Sequence, residues 1–351
     1  MGVALGKRYE YDGKPTMAMN KVQLETKKAI DRKIASGHYA FEEVGCAVCG
    51  SCEFEKLAEK ERYGLFMPVA ICRKCGLVQT NPRMDKQSYS EFYRCEYRKL
   101  HNAAEHPTEE FFQSQRERGK EIYNFIAKAI GQEPRGKLVA EIGVGAGGIL
   151  QYFKEMGNEV LGFDFDEEYI GYGKKMGLSL EIGGIEKLVA AGKKADIIIY
   201  CHVFEHLLDP VSELEKISSC LGAGGVLFIE VPTIKGIHSV YNSDFLQYLN
   251  NAHTYHFTME TLDNCMKKGG FEIIYGTDSG VAVFRAGKKT EGHANEYGKT
   301  IAFLKSAENS RAALINFPVV KLRIFRAIST IISSAGLTAA AKKIRVKLTG
   351  K

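Results

Sequence analysis

Nine cysteines, nine histidines and one run of alternate glycines carry most of the chemistry legible in this 351-residue sequence. Cys46-Ala-Val-Cys49 and Cys72-Arg-Lys-Cys75 are two C-x2-C pairs separated by 22 residues. Each pair can sit on a tight knuckle with a glycine behind it, Gly50 or Gly76, so that four thiolates converge on one Zn²⁺. Cys46, Cys49, Cys72 and Cys75 are the expected ligands; Cys52, at the same spacing from Cys49, could substitute. Four thiolates leave no open position for a substrate, so the metal is read as structural, giving folding energy to a segment with little core.

The second constellation is Val139-Ala-Glu141-Ile-Gly143-Val-Gly145-Ala-Gly147-Gly-Ile-Leu150. An apolar run enters an acid, then three glycines, then a helical pattern: a strand, a tight turn and a helix start. Glycine permits the turn and lets backbone approach a ligand closely. Dinucleotide sites put a pyrophosphate at such a helix N-terminus. An acid just ahead of the glycines would repel that group and suits a cationic ligand with an amino group, which points to S-adenosylmethionine (SAM). Some 20 residues on, Gly162-Phe163-Asp164 ends the next apolar run, where Asp164 can accept both hydroxyls of a ribose, leaving Asp166 to cap the following helix.

The third set is imidazole. Cys201-His202-Val203-Phe204-Glu205-His206 follows an apolar run, and His202 and His206 stand four apart, a spacing that suits a metal, although no third ligand is evident in sequence. Further on, His253-Thr-Tyr255-His256 offers acid/base groups near neutral pH. His206 could equally cap or pack.

The elements needed to position these groups follow from periodicity. From Lys137 strand and helix alternate, which argues a parallel sheet with crossover helices. Strands are expected at 138–142, 159–163, 178–182, 196–200, 226–231, 271–275 and 281–285, the last two as a hairpin. The expected fold is therefore α/β, a Rossmann-like seven-stranded sheet with one antiparallel strand. Ligands in such sheets bind beyond the carboxyl ends of the strands, which brings 201–206 and the segment after Pro232 to the site. The connection from Pro232 to Met259 is long for its kind and should close over substrate. Thr258 should cap the helix that follows it. Helices are also expected at about 17–36 and 107–130. Between them Tyr89, Phe92, Tyr93 and Tyr97 either line the site or pack the small domain on the large one. The expected divisions are a helical extension (1–43), a zinc-binding domain (44–100), a cofactor-binding domain (107–287) and a basic helical tail (288–351).

Hydrophobic content of 45% and charge of 26% are those of a globular chain, and no apolar run approaches the roughly 20 residues of a membrane span. With no apolar leader at the N-terminus, a cytoplasmic protein with reduced or metal-bound cysteines is expected. The net charge of +6 is uneven: Asn309 to Lys351 holds nine Lys/Arg and no Asp/Glu, so the rest has 39 basic against 42 acidic residues. That body argues against nucleic acid as the partner. The tail's apolar residues, from Val319 to Ile332, lie among basic ones, as in helices that rest on anionic membranes or dock on a second subunit.

Taken together, Glu141-x-Gly143-x-Gly145-x-Gly147, Asp164, Phe204-Glu-His-Leu-Leu-Asp-Pro210, Leu221-Gly-Ala-Gly-Gly-Val-Leu-Phe-Ile-Glu-Val-Pro232 and His253-Thr-Tyr-His-Phe-Thr258 resemble class I SAM-dependent methyltransferases. The cysteine pairs with Gly76-Leu-Val-Gln-Thr-Asn-Pro82 resemble the zinc-binding domain that precedes the methyltransferase domain in sugar-modifying enzymes. The resemblance, over roughly residues 44 to 287, implies that Gly143, Gly145 and Gly147 pass under the cofactor and that Glu141 supports this end. It implies that Asp164 holds the ribose and that Cys201, His202 and Val203 line the cofactor. It places His253 near the transferred methyl. The deoxysugar C-methyltransferases of that group carry a sizeable further C-terminal domain, whereas 64 residues follow Gly287 here. The expected reaction is therefore O-methylation of a sugar, on a nucleotide-sugar or a lipid-linked glycan, with His253 as general base and His206 or His256 as alternatives. Competing readings are a zinc-containing rRNA methyltransferase, a sugar C-methyltransferase and a non-catalytic SAM-binding scaffold.

Overall fold

The computed structural model describes residues 2–101 and 106–313. The apolar–basic stretch 317–351 lies outside them.

The N-terminal part is built on a small antiparallel sheet. Strands β2 (Phe54–Lys60), β3 (Phe66–Cys72) and β4 (Val78–Thr80) form a meander. A two-residue pair, β1 (Phe41–Glu42) with β5 (Arg83–Met84), flanks it. The residues of β3 are almost all buried, Met67 to Cys72, because both faces are covered. A helix at Lys21–Ala35, closed by an Asn20/Gln23 capping box, packs Ile30 onto Tyr39, Tyr63, Leu65 and Phe92.

The second part is the α/β sheet. Its strands are β6 (Leu138–Ile142), β7 (Glu159–Asp164), β8 (Leu180–Ile182), β9 (Ala195–Cys201), β10 (Leu221–Glu230), β12 (Phe271–Thr277) and β13 (Val281–Ala286). They lie in the order β12-β13-β10-β9-β6-β7-β8, with β13 antiparallel to both its neighbours and the other adjacent pairs parallel. All seven expected strands form, with ends shifted by a few residues. The central ones read Val139-Ala140, Ile197-Ile198-Ile199 and Leu227-Phe228-Ile229, buried on both faces as strands between two helix layers must be. One layer is the Glu109–Ile130 helix, capped by Thr108 and ended by left-handed Gly131, with the helix Gly148–Glu155 beside it.

The two parts are interwoven. The long connection after Pro232 holds two short helices, Ile237–Val240 and Phe245–Tyr248, and then strand β11 (Tyr255–His256). This strand pairs with β4, so the order of the small sheet is β11-β4-β3-β2. A segment of the sheet-and-helix part thus completes the N-terminal sheet. Thr258 then caps the helix Met259–Lys268 with Thr261, as expected. The helix Tyr297–Ala312 returns to pack Ile301 and Leu304 against Leu57, Val69, Phe245 and Val3. Among the described residues no helix is long and apolar enough to cross a membrane.

Candidate methyltransferase site

Four sulfurs meet beside the small sheet. Cys46 and Cys49 come from the loop before β2; Cys72 and Cys75 come from the end of β3. All four Sγ atoms lie within 4.8 Å of one another, with Cys46–Cys75 at 3.3 Å and Cys49–Cys72 at 3.5 Å. A tetrahedron with Zn–S bonds of about 2.3 Å has edges of about 3.8 Å, so donor type and spacing suit a closed Zn²⁺ site. Cys52 is exposed and outside the cluster. The knuckle packs against the core of the α/β part, and Lys268 donates to the Ala47 carbonyl at 3.3 Å.

The larger site lies at the carboxyl ends of β6, β7, β9 and β10, and divides into two halves. The first is made by β6, the turn after it and the end of β7. Gly143, Gly145 and Gly147 have φ of 71°, 53° and 85°, the left-handed region where a side chain is strained. At Gly143 there is also no room, since a Cβ would stand 2.3 Å from Cγ2 of Val203. The turn is tied to β7 by the Gly145 amide, which donates to Asp164 Oδ2 at 2.9 Å. Asp164 Oδ1 accepts from the Asp166 amide at 2.9 Å, and Arg98 approaches it at 3.4 Å while pairing with Asp166 and lying 3.9 Å over the Tyr169 ring. Asp166 caps its helix, as expected. Glu141 is 2% exposed and its Oε2 has no partner among the described residues. Burial, and Asp164 nearby, push its carboxyl well above the usual range. An orphaned buried carboxyl beside a glycine turn fits the amino end of SAM, with Asp164 left for the ribose.

Cys201, His202 and Val203 follow β9 and border this half. His202 has φ 55°, and its ring lies between two carboxylates, 3.6 Å from Glu205 and 3.5 Å from Glu230. Burial opposes the imidazolium, but the two carboxylates outweigh it and raise His202. Glu230, at the end of β10, is held down at about 2 by His202 and Arg118 against its own burial. The Cys201 thiol, 3.3 Å from Glu230, is pushed up by burial and by that charge, so it stays neutral.

The second half is assembled from three distant segments: 89–97, 204–206 and 251–256. Glu205 is 1% exposed, and neither of its carboxylate oxygens has a hydrogen-bond partner among the described residues. Around it stand His202, His206 Nε2 at 3.7 Å and His253 Nε2 at 4.0 Å. The His206 ring meets His253 edge-on at 4.8 Å. His206 Nδ1 lies 2.9 Å from the Ala252 carbonyl and 2.5 Å from the Tyr93 hydroxyl. Nδ1 is thus partnered by a carbonyl acceptor and by a hydroxyl that can also donate, and Nε2 is the nitrogen that faces Glu205. Tyr89 holds the same corner, 2.7 Å from the carbonyls of His206 and Ala252, and Tyr93 stacks on Tyr97. Burial lowers His206, and lowers His253 well below the usual imidazole value with help from His206 and His256. Both are neutral at pH 7. His256 is wholly buried against Tyr248, taken down to about 3 by burial and Arg62, and lies outside the cluster around Glu205.

The structure therefore gathers Glu141, the three glycines, Asp164 and Cys201–Val203 at one half, and His206 with His253 at the other. Sequence reasoning left the aromatic run between packing and lining; Tyr89 and Tyr93 do both. It missed Glu205, Glu230, Arg118 and Arg98 as site residues. The Tyr89, Tyr93 and Tyr97 spacing of four was the legible signal on that side.

An α/β sheet of this strand order, with a glycine turn after its first strand and an acid ending its second, defines the class I SAM-dependent methyltransferase fold. Residues 112–275 match the family model for a methyltransferase domain, so the chain contains such a domain. It is 30% identical over 146 residues to a tRNA U34 carboxymethyltransferase of Campylobacter hominis, over 39% of this chain and 51% of that protein. It is 24% identical over 140 residues to a probable S-adenosylmethionine-dependent methyltransferase of Mycolicibacterium smegmatis, over 39% of this chain and 53% of that one. The chain thus spans about half the length of these curated relatives. Among solved structures it resembles magnesium protoporphyrin IX methyltransferase from Synechocystis with bound SAH, at 16% identity and a TM-score of 0.42, over 58% of this chain and all of that one.

Proposed function

We propose that the protein transfers the methyl group of SAM to a hydroxyl of a small sugar acceptor, a nucleotide-sugar or a lipid-linked glycan precursor. The observation that carries this reading is the second half of the site: neutral imidazoles and a buried carboxylate, walled by tyrosines, at the carboxyl ends of β9 and β10. SAM supplies an activated sulfonium methyl, so the chain's task is to align an acceptor and to help its proton leave. Alignment supplies several kcal/mol of a barrier, and a positioned base about 10²–10⁴-fold. Tyrosine faces with imidazole edges suit a hydroxyl-rich ring. The small sheet roofs this half through Thr80, whose hydroxyl donates to the His253 carbonyl at 2.8 Å, and Tyr89, on the helix Lys86–Phe92 that follows the sheet, closes the same corner, which favours a small acceptor over a polymer. The cysteine knuckle would hold that roof in place. His253→Gln should lower turnover far more than it weakens SAM binding.

A tRNA acceptor is the second reading, favoured by the name of one partial relative. The test is transfer of labelled methyl from SAM into host extract, separated into nucleotide-sugars, lipid-linked glycans and RNA. Label in a sugar fraction supports the proposal, and label in RNA replaces it.

A further inference from the structure

We infer that Glu205, His206 and His253 form a second metal site, for a divalent first-row cation, distinct from the cysteine knuckle. The inference rests on the proposed reading only for its role in the reaction; the site itself stands on geometry. Glu205 Oε1, His206 Nε2 and His253 Nε2 face one another, at 3.7 and 4.0 Å across the two carboxylate–imidazole gaps. One donor atom from each of the three residues lies within 4.8 Å of the other two. Two imidazoles and a carboxylate on one side of an ion are a known divalent-metal donor set that leaves positions open. Bonds of about 2.1 Å put donors roughly 3.0–3.4 Å apart, so donors now within 4.8 Å of one another must draw together to close on an ion.

Two further observations point to a cation. Glu205 is 1% exposed and neither of its oxygens is hydrogen-bonded, a costly state for a carboxylate that shares its neighbouring imidazolium, His202 at 3.6 Å, with Glu230. His206 Nδ1 is already partnered by the Ala252 carbonyl and the Tyr93 hydroxyl, as the remote nitrogen of a metal-bound histidine is anchored, which leaves Nε2 to face Glu205. With the proton on Nδ1, Nε2 would aim a lone pair at that carboxylate, an arrangement a cation between them relieves. His202, 3.6 Å from Glu205 but half exposed and shared with Glu230, is the competing source of positive charge. The sequence offers His202 and His206 at a ligand spacing without a third donor; the fold supplies Glu205 and His253 in the place of His202.

A cation held by three protein donors has further positions that acceptor hydroxyls can take. It keeps its oxidation state. With His206 and His253 as ligands their lone pairs are taken, and the cation stands in for the imidazole base: the O–CH₃ bond forms, the S–CH₃ bond breaks with its electron pair going to sulfur, and the hydroxyl proton, made more acidic by the cation, leaves to water.

The test uses the full chain and Mn²⁺, an ion that thiolate clusters bind poorly, followed by the paramagnetic resonance of free Mn²⁺. One Mn²⁺ per chain is expected, displaced by Zn²⁺, with affinity at least tenfold lower in Glu205→Gln and His206→Ala and largely retained in Glu205→Asp. Melting curves and SAM binding report whether each variant folds. Absence of a Mn²⁺ site in the folded protein, or affinity unchanged in Glu205→Gln and His206→Ala, overturns the site. Full methyl transfer to a sugar in the presence of a chelator that leaves the thiolate zinc in place would overturn its catalytic role while the proposed function stands. Mn²⁺ binding with label appearing only in RNA would do the reverse.

Discussion

The two halves of the cleft are built in different ways. The cofactor half comes mainly from one continuous unit, β6, its glycine turn, a helix and β7 within residues 138–164, to which Cys201–Val203 are added from the end of β9. Its key contact, Gly145 amide to Asp164, spans 19 residues. The acceptor half draws on three segments, and Tyr93 reaches His206 across 113 positions. The first half is stable wherever the βαβ unit folds. The second exists only when the small sheet is docked, because β11 of the connecting segment is its fourth strand. Damage to the knuckle should therefore spare cofactor binding and remove the acceptor half.

The largest effect expected of that contrast is in Cys72→Ser. Losing one of four thiolates should loosen the end of β3 and, through β4 and β11, His253. A misplacement of about 1 Å costs about 100-fold, so turnover should fall at least that far while calorimetry finds SAM affinity within a few-fold of the parent. Loss of both together would mean that the halves are not separable.

Asp164→Ala should show the converse. Hydrogen bonds to a charged group are worth about 1.5–3 kcal/mol, so SAM affinity should fall about 10- to 100-fold, and the melting temperature should fall as well because the Gly145 and Asp166 amides lose their acceptor. An unaltered affinity would take the ribose away from Asp164.

Glu141 separates the halves by pH. Its carboxyl is raised in the folded chain, so below the ordinary carboxylate value both folded and unfolded states hold the proton. As pH rises past that value, the unfolded chain releases it and the folded one does not, so stability falls until the folded pKa is reached. Glu141→Gln should flatten that decline and raise the melting temperature of the ligand-free protein at pH 7; a lower one at that pH would contradict the assignment. The smallest effect is expected at the start of the helix after β11, where Thr258→Ala removes a capping box and should cost about 1 kcal/mol in a denaturant titration, with no change in SAM binding.

Much of this was legible in advance, for local reasons. Alternate glycines after an apolar run allow little else than a tight strand-to-helix turn, so Gly143, Gly145 and Gly147 could be placed without neighbours. Asp166, Thr258 and Gly131 likewise act within four residues of themselves as caps and stops. Two C-x2-C pairs restrict their partners strongly enough that four sulfurs could be named together. The aromatic run was ambiguous because a tyrosine's helical spacing shows which face it shares, not what that face meets.

By itself, the sequence determined the strands and their order of use, the glycine turn with Asp164, and the cysteine set, because each depends on backbone conformation or spacing over a few residues. Only the tertiary structure decided that Tyr255–His256 joins the N-terminal sheet and that Arg98 approaches Asp164. It alone ringed Glu205 with His202, His206 and His253. Those contacts bring together groups as far apart as Val78 and His256, and whether a buried carboxylate meets water, an imidazole or an ion is set by packing of the whole chain rather than by its neighbours in sequence.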